Sequence, residues 1–186
     1  MKYVFCLVLA SCSLPITNGT PAETGSAAEP TAPDAAAAHV PSPFDLATMA
    51  TVMTYKSRAF EPVNKISYAS TVGTFEINVY ITGDAGTYWR IHPETEATAP
   101  LTVGVGTVIV REVLDPQGAV SSITAIAKAP AGFDPTLDDW WFAEADPSGT
   151  PQQIGAVSAC HSCHVPRAAD DYLFGVPRTD QARRLF

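Results

Sequence analysis

Basic residues are scarce in this chain: 11 Lys and Arg stand against 19 Asp and Glu, for a formal net charge of −8. Nucleic acids and anionic membrane surfaces select clustered Lys and Arg, so neither is an expected partner. Cysteine is scarce too, with 4 in 186 residues. At positions 6, 12, 160 and 163 they are too few and too clustered for a disulfide framework. Tyr3 to Ala10 is apolar but falls far short of the ~20 residues that a membrane-spanning helix needs. Methionine and histidine number 3 and 4, and neither occurs after His164. What is present, 46% hydrophobic and 16% charged residues, fits one globular domain with a non-globular appendage.

The appendage is N-terminal. Met1-Lys2 followed by the short apolar stretch has the layout of a secretory signal over residues 1–11. Leu9-Ala10-Ser11-Cys12 resembles a bacterial lipobox, which implies cleavage before Cys12 and lipid modification of that cysteine. A diacylglycerol plus an N-acyl chain exceeds the two chains that stable anchoring takes. An ordinary signal peptide with an incidental cysteine is the alternative. Residues 12–42 are rich in Ala, Pro, Thr, Ser and Gly and hold no aromatic residue. Such a stretch cannot bury enough apolar surface to offset the entropy of ordering it. Pro15, Pro21, Pro30, Pro33 and Pro41 keep it semi-extended, so it reads as a disordered tether, with His39 solvated. The expected location is the periplasmic side of a bacterial membrane, the outer membrane first, with the lipid as the anchor.

The folded domain is expected over residues 43–186. Ser42-Pro43-Phe44-Asp45 supplies a cap, a proline at the first helical position and an acid at the third. Leu46, Met49, Ala50 and Met53 then recur at helical spacing, as a packing face. Pro62 ends any helix. From Val72 the period becomes two: Phe75, Ile77, Val79 and Ile81 alternate with Thr74, Glu76, Asn78 and Tyr80, a strand with one buried face. Val103 to Leu114, Val120 to Ala129 and Trp140 to Ala145 share that habit, and Asp115-Pro116-Gln117-Gly118 is a turn. Asp146-Pro147-Ser148-Gly149 is read as a turn releasing the chain toward its last segment. The fold expected is mainly β: an antiparallel meander with an N-terminal helix and a C-terminal helical segment.

That last segment contains Cys160-His161-Ser162-Cys163-His164. Cysteines three apart on one helical turn can reach both vinyl groups of a haem, and the histidine after the second cysteine falls beneath the iron. Cys160, Cys163 and His164 are therefore the candidate attachment and axial residues for one covalent haem c, and export supplies the compartment. Two alternatives stay open: a redox-active dithiol, and zinc held by Cys160, Cys163 and His161 or His164. A dithiol enzyme of the thioredoxin kind carries its motif after a strand of an alternating α/β pattern, which is not seen. With no later Met or His, the sixth position has no downstream ligand. Met49 and Met53 lie far upstream, and His92, beside Pro93, reads as a surface residue. An open iron site binds or activates a small molecule.

Four blocks then resemble the cytochrome P-460 family, which includes cytochrome c′-beta: Gly106-Thr107-Val108-Ile109-Val110-Arg111-Glu112-Val113, Asp139-Trp140-Trp141-Phe142, the haem motif itself, and Asp171-Tyr172-Leu173-Phe174. Their order and spacing match over Val72 to Phe174. The resemblance implies a mostly antiparallel β fold, a C-terminal haem motif, a five-coordinate haem and a homodimer. Family members either oxidise hydroxylamine or bind nitric oxide and carbon monoxide. The oxidising members carry a haem-linked lysine where this chain has Arg111, a permanently protonated and poor nucleophile. They also place a carboxylate over the iron, at a position that falls near Thr124 here, and no acid lies between Val120 and Ala129. Arg111 and Thr124 are thus the candidate distal residues, in a pocket that Phe133, Trp140, Trp141, Tyr172 and Phe174 could wall. The expected role is binding of a small ligand such as nitric oxide. The alternatives are a redox enzyme on hydroxylamine or peroxide, and an electron-transfer cytochrome with an unidentified redox partner.

Overall fold

A computed structural model describes residues 40–71, 73–91 and 101–177, all within the unit Ala38–Phe186. Cys12, the leader, most of the tether and His92 lie outside the described residues.

The first helix, α1, spans Pro43–Val52 and starts at the expected cap. Ser42 N–H donates to Asp45 Oδ2 at 2.6 Å, and Asp45 N–H donates back to Ser42 Oγ at 3.2 Å. Of the expected packing face only Met49 is buried. Leu46, Ala50 and Met53 face outward, while Asp45, Thr48, Met49 and Val52 face the protein. Asp45 sets this rotation: it is 1% exposed, and Trp141 Nε1–H donates to its Oδ1 at 2.9 Å. An unpaired buried carboxylate would cost several kcal/mol, more than exposing Leu46 does.

After α1 the two-residue period takes over. The strands are β1 (Phe60–Pro62), β2 (Tyr68–Ala69), β3 (Glu76–Thr82), β4 (Val108–Leu114), β5 (Val120–Lys128), β6 (Trp140–Ala145) and β7 (Pro151–Gly155), with a one-and-a-half-turn helix α2 (Ala85–Trp89) between β3 and β4. They form one mainly antiparallel seven-stranded sheet ordered β1-β3-β4-β5-β6-β7, with β2 sharing the β3 edge with β1. The meander from β3 to β7 has the expected form. Pro62 ends an edge strand, where its missing N–H does no harm. The strand expected from Val103 begins only at Val108, because Gly106 takes φ 87° and turns the chain back so that its N–H reaches Lys128 O. Asp146 to Gly149 does not release the chain. It closes a hairpin in which Asp146 Oδ1 accepts from Ser148 and Thr150 N–H, and β7 pairs back onto β6.

β3 and β5 keep the expected alternation with one buried face, whereas the central β4 and β6 are buried on both sides, because both faces of the sheet are covered there. One face carries Met49, Val52 and Tyr55 over Val108, Val110, Ala125, Ala127, Trp141 and Ala143. The run of alanines there leaves room for α1 to lie close. The other face collects Ile77, Val79, Ile81, Ile109, Trp140 and Phe142 beneath Tyr88, Leu173 and Val176. It is this second face that the C-terminal segment crosses.

Candidate functional site

Gly155, at φ 100°, ends β7 and lets the chain enter helix α3, Ser158–His164. Pro166 then stops the α-helix, and residues Val165–Asp170 continue as a 3-10 segment. Asp171 and Tyr172 follow in the left-handed region, at φ 48° and 65°. Each such residue costs roughly 1 kcal/mol. The Asp171 carboxylate offsets this by accepting from Val103 N–H at 2.6 Å, Lys128 Nζ at 2.8 Å and Trp140 Nε1–H at 3.3 Å.

The reversal brings the Tyr172 carbonyl back to His164, whose Nδ1 lies 2.6 Å away. A carbonyl only accepts, so the proton sits on Nδ1 and the lone pair on Nε2 is left for another partner. Burial holds the His164 pKa below the usual range, with the Arg111 charge adding to that, against the hydrogen bond to Tyr172. A neutral imidazole with one nitrogen bonded to a carbonyl is the form in which histidine ligates metals. Phe142 and Phe174 set their rings against that of His164, with centroids at 5.6 and 5.1 Å and steep interplanar angles, which fixes its orientation.

His164, Cys160 and Cys163 all line one cavity of about 380 Å³, within the size range of small-molecule and cofactor sites. Its walls are largely apolar: Ile77, Val79, Ile109, Ile126 and Phe142 from the sheet, and Tyr68, Tyr88, Leu173 and Phe174 from around it. Across the sheet runs one polar row. Arg111 on β4 pairs with Thr124 on β5, Thr124 with Glu144 on β6, and Glu144 with Gln153 on β7, and all four line the cavity. Arg111 Nε–H donates to Thr124 Oγ1 at 2.9 Å, and its guanidinium lies 6.0 Å from the Phe75 ring centroid. No carboxylate among the described residues forms an ion pair with it.

The structure thus gathers all five candidate residues of the described chain, Cys160, Cys163, His164, Arg111 and Thr124, at one cavity. It adds an acid that sequence reasoning missed. A carboxylate is absent at Thr124, yet Glu144, its neighbour on the next strand, faces the same space, so the cavity does not lack an acid. The signal for it was parity: Trp140, Phe142 and Glu144 share one side of β6. The β5–β6 loop is too long for register to be read from sequence. Of the five candidate aromatic walls only Phe174 lines the cavity. Phe133 and Trp141 pack on the opposite face, Trp140 lies in the core beside it, and Tyr172 contributes its carbonyl. Met49 is buried on that opposite face, as packing.

The remaining groups bear on the two other readings of the motif. Burial, with Glu144 and Cys163 nearby, pushes the Cys160 thiol up, whereas a dithiol nucleophile needs it lowered. Both thiols are free. His161 turns away from a zinc-like grouping: its ring lies against Tyr172, centroids 5.0 Å apart, and its buried Nε2 has no hydrogen-bond partner. Among the described residues no three His, Cys, Asp or Glu are grouped to hold a metal ion. The donor set at the cavity, two thiols and one imidazole with its far nitrogen already bonded, fits a haem attached through the cysteines. No protein-family model matches the chain, and neither the curated proteins nor the solved structures give a match.

Proposed function

We propose that this chain is an exported, lipid-anchored protein carrying one covalent haem c and binding a small ligand such as nitric oxide in the cavity beneath the β4–β7 face. The observation that carries the proposal is the convergence of Cys160, Cys163 and a neutral, carbonyl-bonded His164 on one cavity. Cys160 and Cys163 would hold the haem by thioether bonds and His164 Nε2 would ligate the iron. When bound, the haem supplies an iron that takes up a small molecule or passes single electrons. The chain orients His164 through Tyr172, excludes water with Phe142, Leu173 and Phe174, and presents Arg111 and Thr124 as fixed donors. The resemblance to the cytochrome P-460 family supports the same reading and brings a homodimer with it.

Expression of the full chain with haem-maturation machinery tests the proposal. A Soret band that survives denaturation, together with a ferrous spectrum that shifts on adding nitric oxide, is the expected result. A purified protein without that band overturns it. Labelling with a fatty acid tests the anchor: Cys12 takes the label and Cys12→Ser does not.

A redox enzyme acting on hydroxylamine or peroxide is a second reading, and Glu144 is what favours it. A carboxylate in the cavity can accept a substrate proton, although Arg111 cannot form the linkage that lysine makes. Turnover of hydroxylamine that falls in Glu144→Gln would move the function to this reading.

A further inference from the structure

Behind the main cavity lies a second, of about 180 Å³, that serves neither the motif nor the polar row. Its outer end is formed by Gly83, Asp84, Thr102 and Gly104, all exposed. Its inner end is formed by Ile81, Tyr88, Val103 and Leu173, exposed by 4%, 7%, 7% and 1%. Two of those inner residues, Tyr88 and Leu173, also line the main cavity. The second cavity therefore runs inward from the surface to Tyr88 and Leu173, which face both cavities, so the partition is one side chain thick. The mouth is polar through Asp84 and Thr102, and the floor is aliphatic and aromatic.

We infer that this second cavity is a docking and entry site for small uncharged diatomic molecules, the class of nitric oxide, carbon monoxide and dioxygen, with Tyr88 and Leu173 as the partition they cross to reach the main cavity. Charged and polar solutes lose their hydration at the aliphatic side chains of Ile81, Val103 and Leu173, which offer no hydrogen bond in return. A diatomic of low polarity has little hydration to lose, and apolar interior voids take up such guests. Rotamer motion of a leucine and a tyrosine is enough to open a gap for two atoms, and buried side chains do hop between rotamers. The entry role rests on the haem reading proposed above, while the docking role does not.

Xenon is the probe for docking, because its uptake needs no haem. The full chain, with or without haem, is expected to show xenon at the inner end near Leu173 and Val103, either in crystals under pressure or by xenon NMR. Filling that end with Leu173→Trp removes it. Entry is then read on the haem-loaded protein by carbon monoxide rebinding after photolysis. Gly104→Phe narrows the mouth without disturbing the core, since a Cβ there meets only Thr107 Oγ1, at 3.9 Å. It is expected to slow bimolecular entry several-fold with the ferrous spectrum unchanged, and Leu173→Ala is expected to speed it. Absence of xenon from the inner end overturns the docking site. Xenon binding with entry rates unmoved by both variants overturns the route. Failure to load haem leaves the xenon result standing and counts against the haem proposal alone.

Discussion

Arg111 and Glu112 are consecutive residues of β4 that meet opposite faces of one sheet, and their surroundings could hardly differ more. Glu112, 2% exposed, accepts from Tyr55 Oη at 2.6 Å, Asn78 Nδ2 at 3.1 Å and Tyr80 Oη at 3.3 Å, and pairs with Lys56 Nζ at 2.8 Å. Arg111 has Thr124 and the Phe75 ring, and otherwise faces a cavity. A buried charge surrounded by donors holds a fold together, and a charged group left with unused donors beside empty space is placed to meet something else. The closed face, with α1 and its alanines, is the protein's structural side. The open face, with its row of Arg111, Thr124, Glu144 and Gln153, is where chemistry can take place.

Substitutions that cross this division should separate cleanly in size. Trp141→Ala on the closed face removes a fully buried side chain and the N–H that serves Asp45, and should cost about 4 kcal/mol in urea unfolding. Glu112→Ala should follow at about 3 kcal/mol, since the buried Tyr55 hydroxyl and the half-buried Tyr80 hydroxyl and Asn78 amide lose a charged acceptor. Burial alone would push the Glu112 pKa up, but hydrogen bonds from Lys56, Tyr55 and Asn78, with the Lys56 charge, hold it below its usual value of 4.5. Its contribution is therefore fully present above the unfolded pKa and is lost as pH falls through the lower folded one. An acid titration of stability should show that step in the wild type and lack it in Glu112→Gln. Asp45→Ala loses a cap and a buried acceptor, and should cost about 2 kcal/mol by the same measurement.

On the open face the expectation reverses. Glu144→Gln should move stability by less than about 0.5 kcal/mol, as half-exposed polar substitutions do. It should nevertheless change the spectrum or off-rate of a ligand bound in the cavity. If Glu144→Gln cost as much as Glu112→Ala, the distinction between the two faces would fail.

Much of this division could be read before the fold was seen. The strands Val120 to Ala129 and Trp140 to Ala145 announce themselves by β-branched and aromatic content, and the Ser42 to Asp45 cap by its side chains. Arg111 and Thr124 were both named as distal-pocket candidates through the resemblance, and the β4–β5 register sets them side by side. Glu144 was not legible, since the connection from Ala129 to Asp139 is long and admits several registers. β7 was missed because Pro151-Gln152-Gln153-Ile154 has neither alternation nor a hydrophobic run; its pairing with β6 is what makes it a strand. The outward turn of Leu46 and Met53 was hidden for a similar reason: a single long-range bond from Trp141 to Asp45 outweighs the apolar pattern of α1. The work of the Asp171 to Phe174 run was visible only as a resemblance. In the fold, Asp171 latches three elements, Tyr172 holds His164, Leu173 closes the wall and Phe174 braces the imidazole.

The polar row across β4, β5, β6 and β7 takes one side chain from each strand, and none of the four belongs to either hydrophobic cluster. Charge, acidity and size in the cavity can therefore be altered at one position at a time without repacking the core. Such a sheet lets the chemistry of its cavity change in single mutational steps, each of which leaves a folded protein.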